Sequence, residues 1–278
     1  DLTNPFFPTL IKGAEATLWR AGYSVILADT DFDAEKEKQT VNEFISRRVD
    51  GLIMSPIETQ HYQEWIDQIR HAGIPFVSLT RLENHDADTV VASDRYGARE
   101  AVAHLLALGR NRILYLGNAA SRWANSERLE GYHEALAQAG IPRERALEQI
   151  APSGTIESAR DALRSTFAGG IECNAVLAFD DVMALGARKA ISEAGLSIPA
   201  DIALTGFDNI ELSSLPEIDL TTVDIPKYEL GRVSAQVILE RISEGADDAK
   251  DRDTAAPFRE IVLNTRLIVR GTTSPGNA

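Results

Sequence analysis

Cysteine is almost absent from this chain, because its 278 residues contain only Cys173. A single cysteine excludes an intrachain disulfide and fits a reducing compartment such as the cytoplasm. Basic residues are also scarce, since 28 lysines and arginines stand against 42 aspartates and glutamates, for a net charge of −14. A surface that grips DNA or an anionic membrane needs a basic patch. We therefore expect these residues alone to bind neither.

Several functional motifs are missing as well. No apolar run approaches the ~20 residues of a membrane span. The dinucleotide motif G-x-G-x-x-G, the phosphate loop G-x-x-x-x-G-K-[ST] and the hydrolase motif G-x-S-x-G do not occur. The five histidines lack metal-ligand spacing. These absences argue against an enzyme, and the sequence predicts no cofactor and no metal.

The chain does contain a regular alternation of strand-length apolar runs with segments of helical period. Such alternation predicts parallel sheets covered by helices on both faces, and the number of units favours two similar lobes. A polar loop is expected over 243–257, and Asp1 to Asn4 is typical of a loop that leaves a strand. The predicted strands are 24–30, 51–56, 74–80, 89–93, 112–117, 147–152, 174–180, 201–207, 221–226 and 260–270.

Polar and aromatic side chains follow several of these strands. The carboxyl ends of parallel strands lie on one edge of a sheet, where α/β proteins bind small molecules. Carboxylates accept hydroxyl hydrogens, arginine donates to oxygen, and an aromatic face packs on C–H groups, so the mixture suits a sugar. The residues concerned are Tyr96, Arg122, Trp123, Arg128, Asp180 and Asp208.

Each of these residues also has a purely structural interpretation. Asp180, like its neighbour Asp181 and like Asp33, is placed to cap a helix. Arg128 could pair with a nearby glutamate on the surface, a weak interaction. Asp208, in the run Gly206-Phe-Asp-Asn, could simply form a turn. Arg122 could be a solvated charge, and Trp123 part of a lid or an interface. From these residues alone, both interpretations stay open.

Six stretches resemble the effector-binding core of LacI/GalR transcription regulators: DLTNPFF (1–7), RRVDGLIMSP (47–56), HLLALGRNRILYLG (104–117, the lobe-changing segment), SERLEGYHEAL (126–136), FDDVMALGARKAISEAGLSIPADIALTGFDNIELSSL (179–215) and LTTVDIPKYELG (220–231). The resemblance implies an α/β fold of two Rossmann-like lobes, each a parallel sheet flanked by helices, joined by three crossover segments: the type I periplasmic binding protein fold. It divides the chain into an N-terminal lobe of 1–108 plus 225–256, a C-terminal lobe of 109–224 plus 257–271, and a tail of 272–278, which we expect to be disordered.

The same resemblance implies a site and partners. Effector contacts would come from Phe6, Phe7, Arg128, Asp180 and Asp208, with Tyr96, Arg122 and Trp123 as wall residues. The implied protein is a cytoplasmic homodimeric repressor that senses a small sugar-like effector. It would meet operator DNA only through an N-terminal helix-turn-helix outside this sequence, and no membrane. Asp180, where the family often has Asn, and Ile225, where it often has Gln, depart from the pattern and bear on effector identity.

Two other functions compete with this one. A periplasmic sugar-binding protein of a transport system would share the fold. A signal peptide upstream of this sequence would favour the transport protein, whereas a helix-turn-helix upstream would favour the regulator. An enzyme on a doubly wound fold is the third, which the missing phosphate-loop and nucleophile motifs oppose. On the regulator interpretation, we expect Asp208→Ala and Arg128→Ala to lose effector binding while the protein stays folded.

Overall fold

A computed structural model describes residues 2–57, 62–82, 87–247 and 257–274. It divides into two compact units: unit 1 comprises Asp1–Ala92 and Pro226–Leu263, and unit 2 comprises Ser93–Ile225 and Asn264–Ala278. The chain therefore passes from one unit to the other three times, at the number of crossovers that the family resemblance implies.

The elements alternate as the sequence predicts. The helices are α1 Phe6–Arg20, α2 Ala34–Ser46, α3 Tyr62–His71, α4 Asp94–Ala107, α5 Arg122–Gln138, α6 Ile156–Ala168, α7 Asp181–Glu193 and α8 Lys227–Asp247. The strands are β1 Leu52–Met54, β2 Phe76–Ser78, β3 Asp88–Ala92, β4 Ile113–Asn118, β5 Leu147–Ala151, β6 Ala175–Ala178, β7 Ala203–Asp208, β8 Thr221–Asp224, β9 Glu260–Leu263 and β10 Arg266–Ile268.

Unit 1 is built on a four-stranded parallel sheet in the order β1-β2-β3-β9. Helices α1 and α8 approach closely because glycines face each other's backbone. A Cβ on Gly13 would lie 2.0 Å from the Tyr228 carbonyl oxygen, and one on Gly231 would lie 1.9 Å from that of Leu10. Asp33 caps α2, since its carboxylate accepts the N–H groups of Glu35 and Lys36. The capping interpretation of Asp33 is thus confirmed.

Unit 2 is built on a six-stranded sheet in the order β10-β8-β7-β6-β4-β5. All neighbours are parallel except β10, which runs antiparallel to β8. The four central strands β4, β6, β7 and β8 are almost wholly buried, which matches near-continuous apolar runs in a sheet covered on both faces, whereas the edge strands β5 and β10 are partly exposed. The core between β4, β6, β7 and helices α6 and α7 contains Leu116, Leu163, Val176, Met183 and Ile191 among others.

The structure differs from the sequence-based boundaries in several places. The first crossover lies between Ala92 and Ser93, not after residue 108, because α4 packs on α5 of unit 2. The predicted strand 260–270 is two strands: β9 pairs with β3 in unit 1, and β10 pairs with β8 in unit 2. The third crossover therefore follows Leu263 rather than residue 256. The second one, before Pro226, lies within two residues of its predicted place.

Two further predictions need correction. Residues 24–30 form no strand, and Val25, Ile26 and Leu27 are 40%, 56% and 52% exposed. The start of the predicted tail is ordered, since Thr272 is buried, accepts the Leu204 N–H and donates its hydroxyl to the Leu204 carbonyl. The predicted loop 243–257 begins as the end of α8. The rest of that loop, 248–256, and the last part of the tail, 275–278, lie outside the described residues.

Candidate functional site

The carboxyl ends of four parallel strands form one edge of the unit 2 sheet, which we call the carboxyl edge. Asp224 ends β8, Asp208 ends β7, Asp180 follows β6, and Asn118 ends β4. In the register of the sheet, Asp208 and Asp224 are direct neighbours. The sequence pattern of polar residues after apolar strands therefore does bring these side chains to a common edge, as the parallel topology requires.

Arg128 is the centre of a buried cluster at this edge. Its Nε donates to Asp94 Oδ1 at 2.7 Å, its Nη1 donates to the Phe179 carbonyl, and its Nη2 lies 3.5 Å from Asp208 Oδ1. The guanidinium also lies over two aromatic rings, at 3.8 Å from the Phe207 centroid and 4.4 Å from that of Phe179. We call these five residues the Arg128 cluster.

Burial and charge act against each other in this cluster. Arg128 is 5% exposed, and Asp94 and Asp208 are each 4% exposed. Burial disfavours the charged guanidinium, but the two carboxylates outweigh it and raise the pKa of Arg128 above its ordinary value. Arg128 is therefore a fixed cation whose donors are held in one plane. The surface pairing with a neighbouring glutamate that the sequence left open is not what the structure shows.

Asp180 combines the two roles that the sequence could not separate. Its Oδ1 accepts the Met183 N–H at 2.7 Å, so it caps α7. A Cβ atom built on Gly154 would lie 3.8 Å from Asp180 Oδ2 and 2.8 Å from Asn118 Nδ2. Gly154 therefore lies next to both side chains at the carboxyl edge. The cap is a fact of the structure, while effector contact by Asp180 stays a prediction.

Asp181 holds the framework behind this edge. It is 1% exposed, and its carboxylate accepts the Ile210 N–H at 2.9 Å and the Ser213 and Thr222 hydroxyls at 2.5 Å each. A Cβ on Gly206 would lie 2.2 Å from Asp181 Oδ1. The close approach that requires glycine at position 206 is thus to Asp181, which gives that glycine a structural reason independent of any ligand.

Asp208 and Asn209 have left-handed backbones, with φ of 101° and 54°. Strained backbone of this kind clusters at functional sites and persists where the surroundings hold it. The Asn209 side chain supplies such a hold, since its amide donates to Asp224 Oδ1 and its oxygen accepts from Arg270 Nη2. The turn interpretation is therefore right for the backbone, and the turn also aims the Asp208 carboxylate at Arg128.

The remaining predicted residues are placed differently. Arg122, exposed, and Trp123, half-buried, open α5 after β4, which puts them on the side of the carboxyl edge. Tyr96 is 45% exposed on α4, where its ring lies 5.1 Å below the Arg99 guanidinium, so it is not part of the Arg128 cluster. Phe6 and Phe7 lie in unit 1 at the start of α1, edge to face at 5.1 Å.

Sequence reasoning missed three participants. Asp94, the first residue of α4, follows the predicted strand 89–93, but nothing in the sequence marks it as a partner of Arg128. Phe179 supplies both a carbonyl and a ring to that arginine. Asn118 is 3% exposed, and its N–H donates to Asn125 Oδ1 at 2.8 Å. All three residues lie at or just after the end of an apolar run in the sequence. Only the fold shows which of these strand ends are neighbours.

Two searches of the described part of the chain bear on function. Residues 2–57, 62–82, 87–247 and 257–274 contain no group of three His, Cys, Asp or Glu side chains placed to hold a metal ion. Over the same ranges, no helix combines the length and the apolar character needed to cross a bilayer.

Two α/β units linked by three chain crossings, with a carboxylate-rich sheet edge in one of them, define the class of small-molecule-binding domains built like periplasmic binding proteins. The family model described as "Periplasmic binding proteins and sugar binding domain of LacI family" matches residues 1–262. The chain belongs to this family, and it is the effector-binding domain of a LacI-family transcription regulator.

Individual relatives support this assignment. The ribose operon repressor of Halalkalibacterium halodurans is 32% identical over 276 residues, which cover 99% of this chain and 78% of the relative. The transcriptional repressor PurR of Vibrio atlanticus is 34% identical over 246 residues, which cover 87% and 72%. A LacI-family regulator from Enterococcus faecium, solved with bound ribose, superposes with a TM-score of 0.84 at 28% identity, covering 99% of this chain and 96% of that one. The two named relatives are repressors rather than enzymes.

Proposed function

We propose that this chain senses D-ribose or a closely related neutral sugar, and that binding alters the operator affinity of a homodimeric cytoplasmic repressor through an N-terminal helix-turn-helix. The observation that carries the proposal is the Arg128 cluster at the carboxyl edge. It places a fixed donor between carboxylates that accept hydroxyl hydrogens, with aromatic rings alongside. The ribose-bound relative and the ribose operon repressor support a pentose as the effector.

Charge at the carboxyl edge further restricts the ligand class. The buried charged groups there are one guanidinium, Arg128, and four carboxylates, those of Asp94, Asp180, Asp181 and Asp208. An anionic phosphate brought to this edge meets an excess of negative charge in a poorly screened environment. The effector is therefore a neutral polyhydroxyl compound rather than a sugar phosphate.

A thermal-shift series tests the ligand class. A ligand that binds only the folded state raises the melting temperature with its concentration, and about 2.7 kcal/mol is gained at one hundred times the Kd. We expect D-ribose to produce this rise and D-ribose 5-phosphate to produce none at equal concentration. A rise with the phosphate alone, or with a purine such as guanine alone, would contradict the proposed class.

Substitution of Asp208 tests the site. Asp208→Asn keeps the shape and tolerates the left-handed backbone, but it replaces a charged acceptor with a weaker one. Hydrogen bonds to charged groups contribute about 1.5–3 kcal/mol, so calorimetry is expected to show at least a tenfold loss of ribose affinity. Asp161→Asn, on the exposed face of α6, is the matched control and leaves affinity unchanged. Equal affinities for the two variants would refute the role of Asp208.

The dimer rests on operator symmetry, because two-fold operators are matched by two-fold proteins. Light scattering at tens of micromolar is expected to give about twice the chain mass of 30.3 kDa. A transport function receives no support from the relatives named above, which are transcription regulators.

A further inference from the structure

The unit 2 ends of the three crossovers are hydrogen-bonded to one another. Thr265, which follows the third crossover, donates its N–H to Ser93 Oγ at 2.9 Å and its hydroxyl to the Ser93 carbonyl. Ser93 is the first residue after the first crossover. Asp224, which precedes the second crossover by two residues, is paired with Arg266 in the β8–β10 ladder and accepts from its Nε at 3.1 Å. We call Ser93, Asp224, Thr265 and Arg266 the crossover clamp.

The Asn209 amide joins this clamp to the turn that carries Asp208. Asn209 Nδ2 donates to Asp224 Oδ1 at 3.0 Å, and Asn209 Oδ1 accepts from Arg270 Nη2 at 2.8 Å. Arg270 Nη1 in turn donates to the carbonyl of Leu220, the residue before β8. The Asn209 side chain therefore bridges the carboxyl end of β8 and the segment that follows β10.

Two side chains hold the Asp224 carboxylate, and they differ in how far solvent screens them. The Arg266 side chain is 74% exposed, and an ion pair at such a position contributes little. Asn209 is half-buried, and its second bond is to a guanidinium, which makes that bond charge-assisted and stronger than one between neutral groups. Asn209 therefore contributes more than Arg266 to the position of Asp224.

The backbone couples the two side chains of the turn. Asp208 and Asn209 have φ values of 101° and 54°, in a region where residues other than glycine have little conformational room. The Asn209 N–H also donates to Thr222 Oγ1 at 3.3 Å. A displacement of the Asp208 carboxylate is therefore expected to displace the Asn209 amide as well, because the turn has few other conformations that could absorb it.

We propose that Asn209 is the positioning residue that transmits effector binding at Asp208 to the crossover clamp. The proposal rests on the function proposed above, in which Asp208 binds the sugar and a helix-turn-helix joined to unit 1 binds the operator. The three crossovers are the covalent connections between the two units. A ligand shifts an equilibrium only as far as its affinities for the two states differ. The hydrogen bonds of Asn209 make the position of the crossovers part of that difference.

Asn209→Gly tests this role, because glycine adopts the left-handed backbone and only the side-chain hydrogen bonds are lost. Arg48→Gly is the matched control, since Arg48 is exposed in unit 1 and has the same φ of 54°. In the longer protein that carries the helix-turn-helix, the operator affinities with and without ribose are expected to differ by the ~5–150-fold that is typical of allosteric coupling. Asn209→Gly is expected to bring this ratio below about threefold while calorimetry shows a change in ribose affinity of less than about threefold. The control keeps both values of the parent.

Asp224→Ala removes the same hydrogen bond from its other end, so it tests the link even if Asn209→Gly is poorly folded. If the two residues act through their mutual hydrogen bond, the double variant loses no more coupling than the more affected single variant. Independent, fully additive losses would overturn transmission through Asp224. A large loss of ribose affinity in Asn209→Gly would also overturn the proposal, because Asn209 would then belong to the binding site itself.

A measurement without ligand separates this proposal from the identity of the effector. Hydrogen exchange of the β8–β10 ladder amides is expected to be at least about tenfold faster in Asn209→Gly than in Arg48→Gly. Equal exchange in the two variants would overturn the role of Asn209, and so would a parent-like ratio of operator affinities in Asn209→Gly. Failure of the parent to bind ribose would instead refute the proposed effector, and the exchange comparison would still decide whether Asn209 holds the crossover clamp.

Discussion

Arg128 illustrates how a residue predicted to touch a ligand can first be a part of the fold. It sits in α5 with both ends of its guanidinium on carboxylates and its flat faces on Phe179 and Phe207. Removing one partner of a buried ion pair leaves an uncompensated charge and costs about 3–5 kcal/mol. The sequence-based expectation of a normally folded Arg128 variant is therefore revised.

We predict that Arg128→Met lowers the free energy of unfolding by about that amount, because Asp94 is left buried without its cation. The measurement is the midpoint of urea unfolding for both proteins. An unchanged dependence of the unfolding free energy on urea concentration checks that both unfold in two states. Arg122→Met, at an exposed position of the same helix, is the control and is expected to stay within about 0.5 kcal/mol of the parent. Parent-like stability of Arg128→Met would show that the cluster does not stabilise the fold.

Glu37 is a second buried ionisable residue, and it lies in unit 1. It is 3% exposed in α2, and both its oxygens accept the Ile57 N–H. Burial raises the pKa of Glu37 from 4.5 to about 7, outweighing that hydrogen bond. The folded state therefore holds this proton more tightly than the unfolded state does. The resulting stability is fully present below pH 4.5 and is lost as the pH rises through about 7.

We predict that Glu37→Gln removes this loss. Between pH 5 and pH 8 the parent should lose roughly 2–3 kcal/mol more stability than the variant, from the size of the pKa shift. Urea midpoints of both proteins at the two pH values give the change in stability with pH for each protein. Subtracting the change for the variant from that for the parent cancels the contributions of the other titrating groups. Glu35→Gln, exposed on the same helix, is expected to follow the parent. A parent and a Glu37→Gln variant with the same pH profile would contradict the buried neutral acid.

Among the secondary-structure elements, the start of α7 is hydrogen-bonded through Asp181 to β8 and to the turn after β7. The three acceptor contacts of Asp181 leave no room for a side chain at Gly206. We predict that Gly206→Ala lowers the free energy of unfolding by about 1–3 kcal/mol or more through overpacking. Gly169→Ala is the matched control, because its Cβ would meet ordinary contacts at 3.4 and 3.5 Å. Thermal unfolding of both variants measures the difference, and equal melting temperatures would show that β7 yields to the extra methyl group.

The order of elements could be predicted because apolar runs and helical periods are local properties. Each described strand from β1 to β8 falls where a short apolar run ends in polar residues, and the site residues follow those ends. Asp94 and Phe179 could not be assigned to Arg128, because which strand ends are neighbours depends on sheet order. The boundary at residue 108 was wrong because α4 follows β3 without a break in the sequence pattern, although it packs in the other unit.

The failed strand at 24–30 has a different cause. Its sequence is as strand-like as that of β4, yet strand formation depends on partners more than on intrinsic preference. Residues 24–28 have no neighbour in the described chain with which to pair. The sequence therefore predicted the extended conformation that the segment favours. The structure shows that the segment also needs a neighbouring strand before it can join a sheet.

At the scale of the whole molecule, charge decides the partner. With 42 acidic and 28 basic residues, this chain lacks the excess of lysine and arginine that neutralises phosphates. We predict that it does not retard operator DNA in a gel-shift series at physiological salt. The longer protein that carries the proposed helix-turn-helix is expected to bind, with an affinity that changes with ribose. Equal retardation by both proteins would place the DNA contacts within these residues instead.

The division of each unit between distant parts of the chain has a consequence for synthesis on the ribosome. Unit 1 needs α8 and β9, which are made only after the long stretch from Ser93 to Ile225 has emerged. Unit 2 in turn needs β10 and Thr272, which are made later still. At ~5–20 residues per second, the nascent chain spends roughly ten seconds or more with α1 uncovered, and about two seconds or more with the edge of β8 unpaired. A ribosome that stops short of β10 therefore releases a chain in which unit 2 lacks the strand that pairs with β8.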